Sequence, residues 1–149
     1  MDHTRKRLTC SVFFVRLLLA GLVLLCLAWP WLLKLLIRSR APDLAGSYPL
    51  LLAVLYAATL LAAVILFSLG RLLEHIQRAE VFVPGNVGLL HRISVGTLLM
   101  ALTFGLGGLC YFGFWLVSAG CLFTGLILQV VADVFAQAVA LQQENDYTI

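Results

Sequence analysis

Long runs of uncharged, mostly apolar residues alternate with short basic segments along this chain of 149 residues. The first run, between Arg16 and Lys34, holds seventeen uncharged residues, Leu17–Leu33. A helix needs about 20 mostly apolar residues to cross the hydrocarbon of a bilayer, and both flanking side chains are long enough to reach an interface. This run therefore predicts a first membrane span over about 13–36, and the next uncharged run predicts a second over about 49–69.

The third uncharged stretch, Ile93–Ala132, is forty residues long, twice what one crossing requires. As one straight helix it would extend about 60 Å. We therefore expect two spans, over about 93–111 and 115–135, joined by a tight turn near Tyr111–Phe114. The whole pattern predicts an all-α, integral membrane four-helix bundle that forms a single domain.

The composition supports this fold class and excludes soluble ones. Hydrophobic residues make up 62% of the chain and charged residues 11%, whereas soluble domains are usually about 45–50% apolar and about 25% charged. Seven acidic and ten basic residues are too few to cover the surface of a free globule. A soluble domain, a disordered chain and a disulfide framework are thus excluded, and the lipid bilayer is the first partner that we expect.

The positions of Lys and Arg predict the orientation, because cytoplasmic segments of membrane proteins are enriched in them. With the N-terminus inside, seven basic residues lie inside and three outside. The inner set is Arg5, Lys6, Arg7, Arg16, Arg71, Arg78 and Arg92, and the outer set is Lys34, Arg38 and Arg40. We therefore expect the N- and C-termini to be cytoplasmic, and nothing in the net charge of +3 indicates direct nucleic-acid binding.

The middle loop, 70–92, would be cytoplasmic and has an amphipathic pattern. Its apolar positions at helical spacing are Leu69, Leu72, Leu73 and Ile76, and its polar positions on the other faces are Arg71, Glu74, His75 and Arg78. We expect the second span to continue here as a helix, with Glu74 paired to Arg78, and to end before Val81. The segment is either a connector lying on the headgroups or a docking surface for a cytoplasmic partner.

The tail, 136–149, is predicted to continue the fourth span as a helix. Gln129, Asp133 and Gln137 recur every four residues and share one face. Asp133 is the one acid within or beside an apolar span, and such an acid is a functional hypothesis by default. We interpret it as a structural residue at the inner ends of the spans, either in an ion pair near Arg16, Arg71 and Arg92 or solvated at the interface. A role in transport is the alternative.

The loop and the tail both resemble a known family. The loop continues from an apolar helix through Phe82, Pro84 and Asn86 to Arg92, and is similar to the motif pFtxeNvxxLRxI. The tail VFAQAVALQQENDYTI is similar to vFxxGvxLqxEndlTI, on Phe135, Leu141, Glu144, Asn145, Asp146, Thr148 and Ile149. Over about residues 50–149 the chain resembles the bacterial four-span membrane proteins of the "domain of unknown function 2975" family.

This resemblance implies a multi-pass protein of the bacterial cytoplasmic (inner) membrane without an assigned activity. Members are often encoded beside a small helix-turn-helix regulator of the Cro/cI type, which implies a transcription regulator as partner. The chain departs from the family pattern at Val83 (usually Thr or Ser), Gly85 (an acid), His91 (a basic residue), Ala138 (Gly) and Tyr147 (Leu). Val83 in particular predicts a weaker cap on the helix that contains Asn86.

The sequence contains no arrangement of residues that indicates catalysis. Its four cysteines include no C-x-x-C pair, and its three histidines form no cluster at metal-ligand spacing. It has no phosphate-binding glycine loop and no nucleophile elbow. We therefore expect neither enzymatic activity nor a cofactor or metal. Cys110 and Cys121 flank the predicted hairpin as packing residues, with a disulfide as the alternative.

The functional hypothesis is a non-enzymatic membrane anchor or sensor that holds a cytoplasmic partner such as a helix-turn-helix regulator. The candidate partner-binding residues are Glu74, Arg78, Phe82, Asn86, Arg92, Glu144, Asn145, Asp146 and Thr148. The alternatives are a small transporter or channel component that uses Asp133, and a structural subunit of a larger membrane complex or homo-oligomer. Rows of small residues would let helices approach closely, and they are Thr97, Ala101 and Gly105, Ala132, Ala136 and Ala140, and Ala53 and Ala57.

Overall fold

Four long helices account for most of residues 2–147, the part of the chain that the computed structural model describes. They are α1 (Asp2–Arg40), α2 (Tyr48–Gln77), α3 (Pro84–Gly107) and α4 (Gly113–Tyr147), with a short 3-10 helix (Pro42–Ser47) before α2. Each of the four is long and apolar enough to cross a membrane. The all-α prediction with four such helices is therefore confirmed.

The helices pack as antiparallel neighbours in chain order. Helices α2 and α3 form the centre, α1 packs on α2, and α4 packs on α3. We call the end with the 78–83 loop the loop end, and the end with the 108–112 turn the hairpin end. Since each outer helix has one neighbouring helix, most of the surface of α1 and α4 is exposed in the isolated chain.

Two clusters of buried apolar side chains hold the layer together. At the loop end, Leu72 of α2, Leu90 and Ile93 of α3 and Ala132 of α4 form one cluster. At the hairpin end, Leu33 of α1 packs with Leu51 and Leu55 of α2. Between apolar helices in lipid, association depends on van der Waals contact and hydrogen bonds, so close packing at such clusters is the main stabilising term.

Small residues let α3 and α4 approach closely. A set of less exposed residues on α4 recurs at alternating spacings of three and four, and it consists of Ser118, Cys121, Gly125, Leu128, Ala132, Phe135 and Val139. This periodicity is that of side chains interlocking between helices that cross at a shallow angle. Facing it on α3, Thr97 and Ala101 are buried, and a Cβ added at Gly105 would lie 3.3 Å from Ser118 Oγ.

The rows of small residues thus differ in what they do. The row on α3 packs within the chain. In the row on α4, Ala132 is buried and Ala136 and Ala140 are exposed. Ala53 and Ala57 on α2 are exposed as well. On α4, the residues that pack on α3 recur at alternating spacings of three and four. A row in which every fourth residue is small therefore leaves the packed face after one turn.

The helix ends extend beyond the predicted spans at the loop end. Helix α2 continues to Gln77 and stops before Val81, and α4 continues to Tyr147. The hairpin lies at 108–112, a few residues earlier than predicted. Glycines explain this shift, because a Cβ at Gly107 would lie 2.7 Å from Phe114 Cδ2 and one at Gly108 would lie 2.7 Å from Trp115 Cδ1. The aromatic rings after the turn therefore fold back over glycine backbone.

Candidate functional site

Asn86 is the centre of the loop end. Its side chain is 1% exposed, and its Nδ2 donates to the carbonyl oxygens of Glu80 at 2.7 Å and Val81 at 2.8 Å. Its Oδ1 lies 2.7 Å from His75 Nδ1. Because Asn86 Nδ2 donates to both carbonyl oxygens, Oδ1 must accept the hydrogen bond from His75, whose Nδ1 therefore carries the proton. One side chain thus joins the end of α2, the loop and the start of α3.

Burial of this kind keeps the Asn86 side chain away from any partner in this conformation. Its polar atoms already have partners, so its role here is to fix the loop rather than to contact another protein. His75, which was not among the candidate residues, acts with it. The signal for Asn86 was its place in the family motif. No sequence signal paired it with His75 eleven residues earlier.

The end of α2 forms a Schellman motif. Glu80 N donates to His75 O and Ala79 N donates to Ile76 O, both at 3.1 Å, which are the two bonds that define this motif. Ala79 occupies the left-handed position with φ of 61°. Glycine usually takes this position, because an L side chain there costs about 1–2 kcal/mol.

Replacing Ala79 by glycine is therefore expected to raise the free energy of unfolding by about 1 kcal/mol. The control is Ala136→Gly, at an exposed position inside α4, where the same change should lower stability by about 0.5–1 kcal/mol. Denaturant titration in detergent, followed by circular dichroism, measures both. Equal losses of stability in the two variants would show that the Ala79 backbone carries no strain.

The start of α3 lacks a side-chain cap. Val83 is the N-cap residue, in extended backbone with φ of −111° and ψ of 146°, and no side-chain hydrogen bond caps the helix. The prediction of a weak cap at Val83 is confirmed. Pro84 follows in the first turn, where its missing N–H needs no partner, and Asn86 N donates to Val83 O at 3.0 Å.

The loop contacts α4 at Phe135, directly before the tail, a relation that the sequence left open. The rings of Phe82 and Phe135 stack with their centroids 5.8 Å apart and their planes at 27°. Phe82 remains 50% exposed, and Val139, one turn beyond Phe135, is buried. The two segments that carry the family resemblance therefore form one continuous surface at the loop end.

Beyond Val139, α4 continues as an exposed helix. Residues 140–147 are all exposed, including the candidates Glu144, Asn145 and Asp146. Thr148, the last candidate, and Ile149 lie outside the described residues. Arg78 and Arg92 are also exposed, so these five candidates have accessible side chains.

The charged residues pair differently from the prediction. Arg16 Nη2 of α1 lies 3.7 Å from Glu74 Oε1 of α2, in place of the expected pair of Glu74 with Arg78. Arg78 keeps its helical placement, since its N donates to Glu74 O at 3.2 Å, but the Glu74 carboxylate is directed to Arg16 on the neighbouring helix. The guanidinium of Arg71 lies over the Phe67 ring, 5.1 Å from its centroid.

Asp133 belongs to a different group of polar residues. Ser94, which is fully buried, has its Oγ 3.0 Å from Gln129 Oε1 and 3.1 Å from Gly125 O. Gln129 Nε2 then donates to Asp133 Oδ1 at 3.4 Å. Among the side chains that the structure describes, Asp133 makes no ion pair within 4 Å. Among the described side chains, the expected ion pairs of Asp133 with Arg16, Arg71 and Arg92 are not formed. Arg16 lies on α1, at the opposite edge of the layer from α4, and the guanidinium of Arg71 on α2 lies over the Phe67 ring.

The thiols and histidines form no further site in the described part of the chain. The four cysteines, Cys10, Cys26, Cys110 and Cys121, are free. Among the described residues, no three side chains of His, Cys, Asp or Glu come together in a group that could hold a metal ion.

Comparison with known proteins identifies one similarity. A family model described as "Protein of unknown function (DUF2975)" matches residues 36–149. The match includes α2, α3 and α4 with the loop and the tail, but only the last residues of α1. No curated protein and no solved structure matches the chain.

Proposed function

The chain belongs to the DUF2975 family of proteins of unknown function, and from this premise we propose that it is a membrane anchor whose loop end binds a cytoplasmic protein. In this proposal the four helices cross the inner membrane of a bacterium. Both termini and the 78–83 loop face the cytoplasm, because that orientation places seven basic residues inside and three outside. The protein then acts by binding a partner, such as a helix-turn-helix regulator, rather than by catalysis.

The observation that carries this proposal is the contact between an ordered loop and a projecting helix. Helix α4 has 35 residues and is about 52 Å long, whereas the hydrocarbon of a bilayer is about 30 Å thick. Several turns of α4 therefore extend beyond the hydrocarbon. The Phe82–Phe135 stack holds the loop against this helix. The hydrogen bonds of Asn86 hold the loop in its own conformation. A segment that only connects two spans does not require these contacts.

The surface itself has the chemistry of a protein-binding site. Phe82, Leu141 and Tyr147 are large apolar side chains that are 50%, 65% and 91% exposed. Outside a bilayer, apolar exposure rimmed by charge is typical of an interaction site. Acidic residues Glu144 and Asp146 flank Leu141 and Tyr147 on the exposed helix, which favours a partner with a basic surface, as a DNA-binding protein has.

Removing residues 144–149 is expected to abolish recovery of the partner, since the deletion takes away both acids and Tyr147. The test is affinity purification from native membranes in mild detergent, with mass spectrometry of the soluble proteins that are recovered. We expect a helix-turn-helix protein with the full chain, and at least tenfold less with the deletion.

The matched control is the double variant Gln142→Ala and Gln143→Ala, which alters the same exposed turn of α4 without touching its charged or large apolar side chains. It should recover the partner as the full chain does. If the deletion recovers the same soluble proteins as the control, the tail does not bind them. If no soluble protein is recovered with any form of the chain, the anchor proposal is wrong.

A further inference from the structure

A groove made of two adjoining cavities runs along the α1–α2 interface. Its first part, near the loop end, is a cavity of about 340 Å³ whose lining includes Arg16, Arg71 and Glu74. Its second part is a cavity of about 390 Å³, lined almost entirely by apolar side chains such as Leu22, Val23, Leu60 and Ala63. Leu19 lines both cavities, so the charged part adjoins the apolar part along the interface.

The groove exists because α1 packs loosely on α2. On one face of α2, Leu72 packs with Leu90 and Ile93 of α3. On the face toward α1, small residues such as Ala63 and Gly70 line the two cavities. Helix α1 has no other helix to pack on except the 3-10 helix that follows it. Besides the Leu33 cluster at the hairpin end, α1 is held to α2 by the Trp29 Nε1 to Thr59 Oγ1 hydrogen bond of 2.8 Å and by the Arg16–Glu74 pair.

The charged part of the groove has the chemistry of a phosphate site. Arg16 and Arg71 both line it, and the carboxylate of Glu74 offsets only one of their two charges. Guanidinium groups bind phosphate oxygens through two parallel hydrogen bonds. Arg71 is also oriented by its contact with the Phe67 ring. One net positive charge therefore remains at the mouth of an apolar cleft.

We propose that this groove binds an anionic phospholipid, with the phosphate between Arg16 and Arg71 and an acyl chain along Leu19, Leu22 and Leu60. The order of the two cavities is that of such a lipid, a charged head followed by an apolar chain. A free phosphate ion would leave the apolar cavity empty. This inference rests on the proposed membrane insertion and orientation, which put the arginines at the cytoplasmic leaflet, where anionic lipids are found.

The test is native mass spectrometry of the full chain in detergent, after addition of equal amounts of phosphatidylglycerol and phosphatidylcholine. We expect phosphatidylglycerol to be retained preferentially. Each arginine near anionic lipid contributes roughly a fivefold factor in affinity. The double variant Arg16→Gln and Arg71→Gln should thus lose roughly 25-fold in retention. The control, Arg38→Gln and Arg40→Gln, removes the same charge at the hairpin end and should retain the lipid.

A second variant keeps the proposal testable if the double variant does not fold. Glu74→Gln removes the one carboxylate of the groove and should increase phosphatidylglycerol retention by roughly fivefold. If Glu74 only stabilises α1 through Arg16, the variant will instead melt at a lower temperature with retention unchanged. That result overturns the lipid site.

Three other results would also overturn it. They are equal retention of the two lipids, equal loss in the double variant and its control, and displacement of the lipid by millimolar inorganic phosphate. Resistance of the chain to carbonate extraction tests membrane insertion separately. A chain that resists extraction but shows no lipid preference therefore refutes the lipid site and leaves the anchor proposal untouched.

Discussion

Replacing Asn86 by aspartate is expected to lower the free energy of unfolding by about 4 kcal/mol, since each buried polar group left unpaired costs about 1–3 kcal/mol. The native amide donates to two carbonyl oxygens, of Glu80 and Val81, and accepts from His75. A carboxylate has no donor for either carbonyl and brings a buried negative charge beside both. The loop should detach from α3, and we expect faster proteolysis within residues 78–83.

The sign of the pH dependence gives this prediction a second readout. Burial beside two carbonyl oxygens raises the pKa of the introduced carboxyl above its unfolded value, and the one hydrogen bond that His75 donates offsets this only in part. The stability of the variant should therefore be greatest at acidic pH, below the unfolded pKa, and should fall as pH rises through the folded pKa. At acidic pH the variant would regain only part of the lost stability, because a protonated carboxyl donates one hydrogen bond and two carbonyls require donors.

Gln142→Glu is the matched control for Asn86→Asp, because it makes the same chemical change at an exposed position on α4. It should alter stability by less than about 0.5 kcal/mol. Thermal unfolding in detergent, followed by circular dichroism over a range of pH, measures both. Equal stability of the two variants at neutral pH would mean that the Asn86 network does not stabilise the loop.

Replacing Gly125 by valine is expected to lower the free energy of unfolding by about 3 kcal/mol, at the upper end of what overpacking costs. A Cβ at this position would lie 2.7 Å from Leu98 Cδ2 and 3.3 Å from the backbone nitrogen of Leu98. The Leu98 side chain can rotate but its backbone cannot, so α3 and α4 must separate. Separation would also break the hydrogen bond from Ser94 Oγ to Gly125 O.

Gly120 provides the control on the same helix. A Cβ there would meet nothing within 4 Å, so Gly120→Val changes the intrinsic helix preference without crowding a neighbour. Titration with a denaturing detergent, read by circular dichroism, should therefore separate the two variants widely. If they unfold at the same detergent concentration, α3 and α4 do not depend on close approach at Gly125.

These two positions matter to function because they fix the relative placement of loop and tail. Gly125 sets how closely α4 lies against α3, and Asn86 sets the shape of the loop that α3 follows. Phe82 meets Phe135 only if both are in place. We therefore expect either variant to weaken partner binding even though neither residue is exposed to the partner.

Several local features were predictable from the sequence because short-range physics determines them. The continuation of α2 through Leu72 and Ile76 followed from apolar spacing, and its end before Val81 from the glycine and proline nearby. The uncapped start of α3 followed from Val83, whose side chain has no oxygen to offer. In each case the interacting groups lie within a few residues of one another.

The predicted charge pairs, in contrast, are not formed among the described side chains. A spacing of four residues predicts a pair of Glu74 with Arg78, but the Glu74 carboxylate faces Arg16 of another helix. Asp133 was grouped with the arginines because all lie near the inner ends of the predicted spans. The depth of a residue in the membrane does not determine which helices lie next to it. In this chain α1 and α4 are not neighbours.

The sequence by itself determined the fold class and the number of helices, because apolar runs of about 20 residues satisfy their backbone hydrogen bonds in a bilayer as helices. It also determined the family, through the motifs of the loop and the tail. Only the tertiary structure decided which side chains meet. The stack of Phe82 on Phe135, the bond between His75 and Asn86, and the groove beside Arg16 each join residues from different elements. Hydropathy is nearly uniform around these helices, so the faces that pack are chosen by the fit of small and large side chains between neighbours.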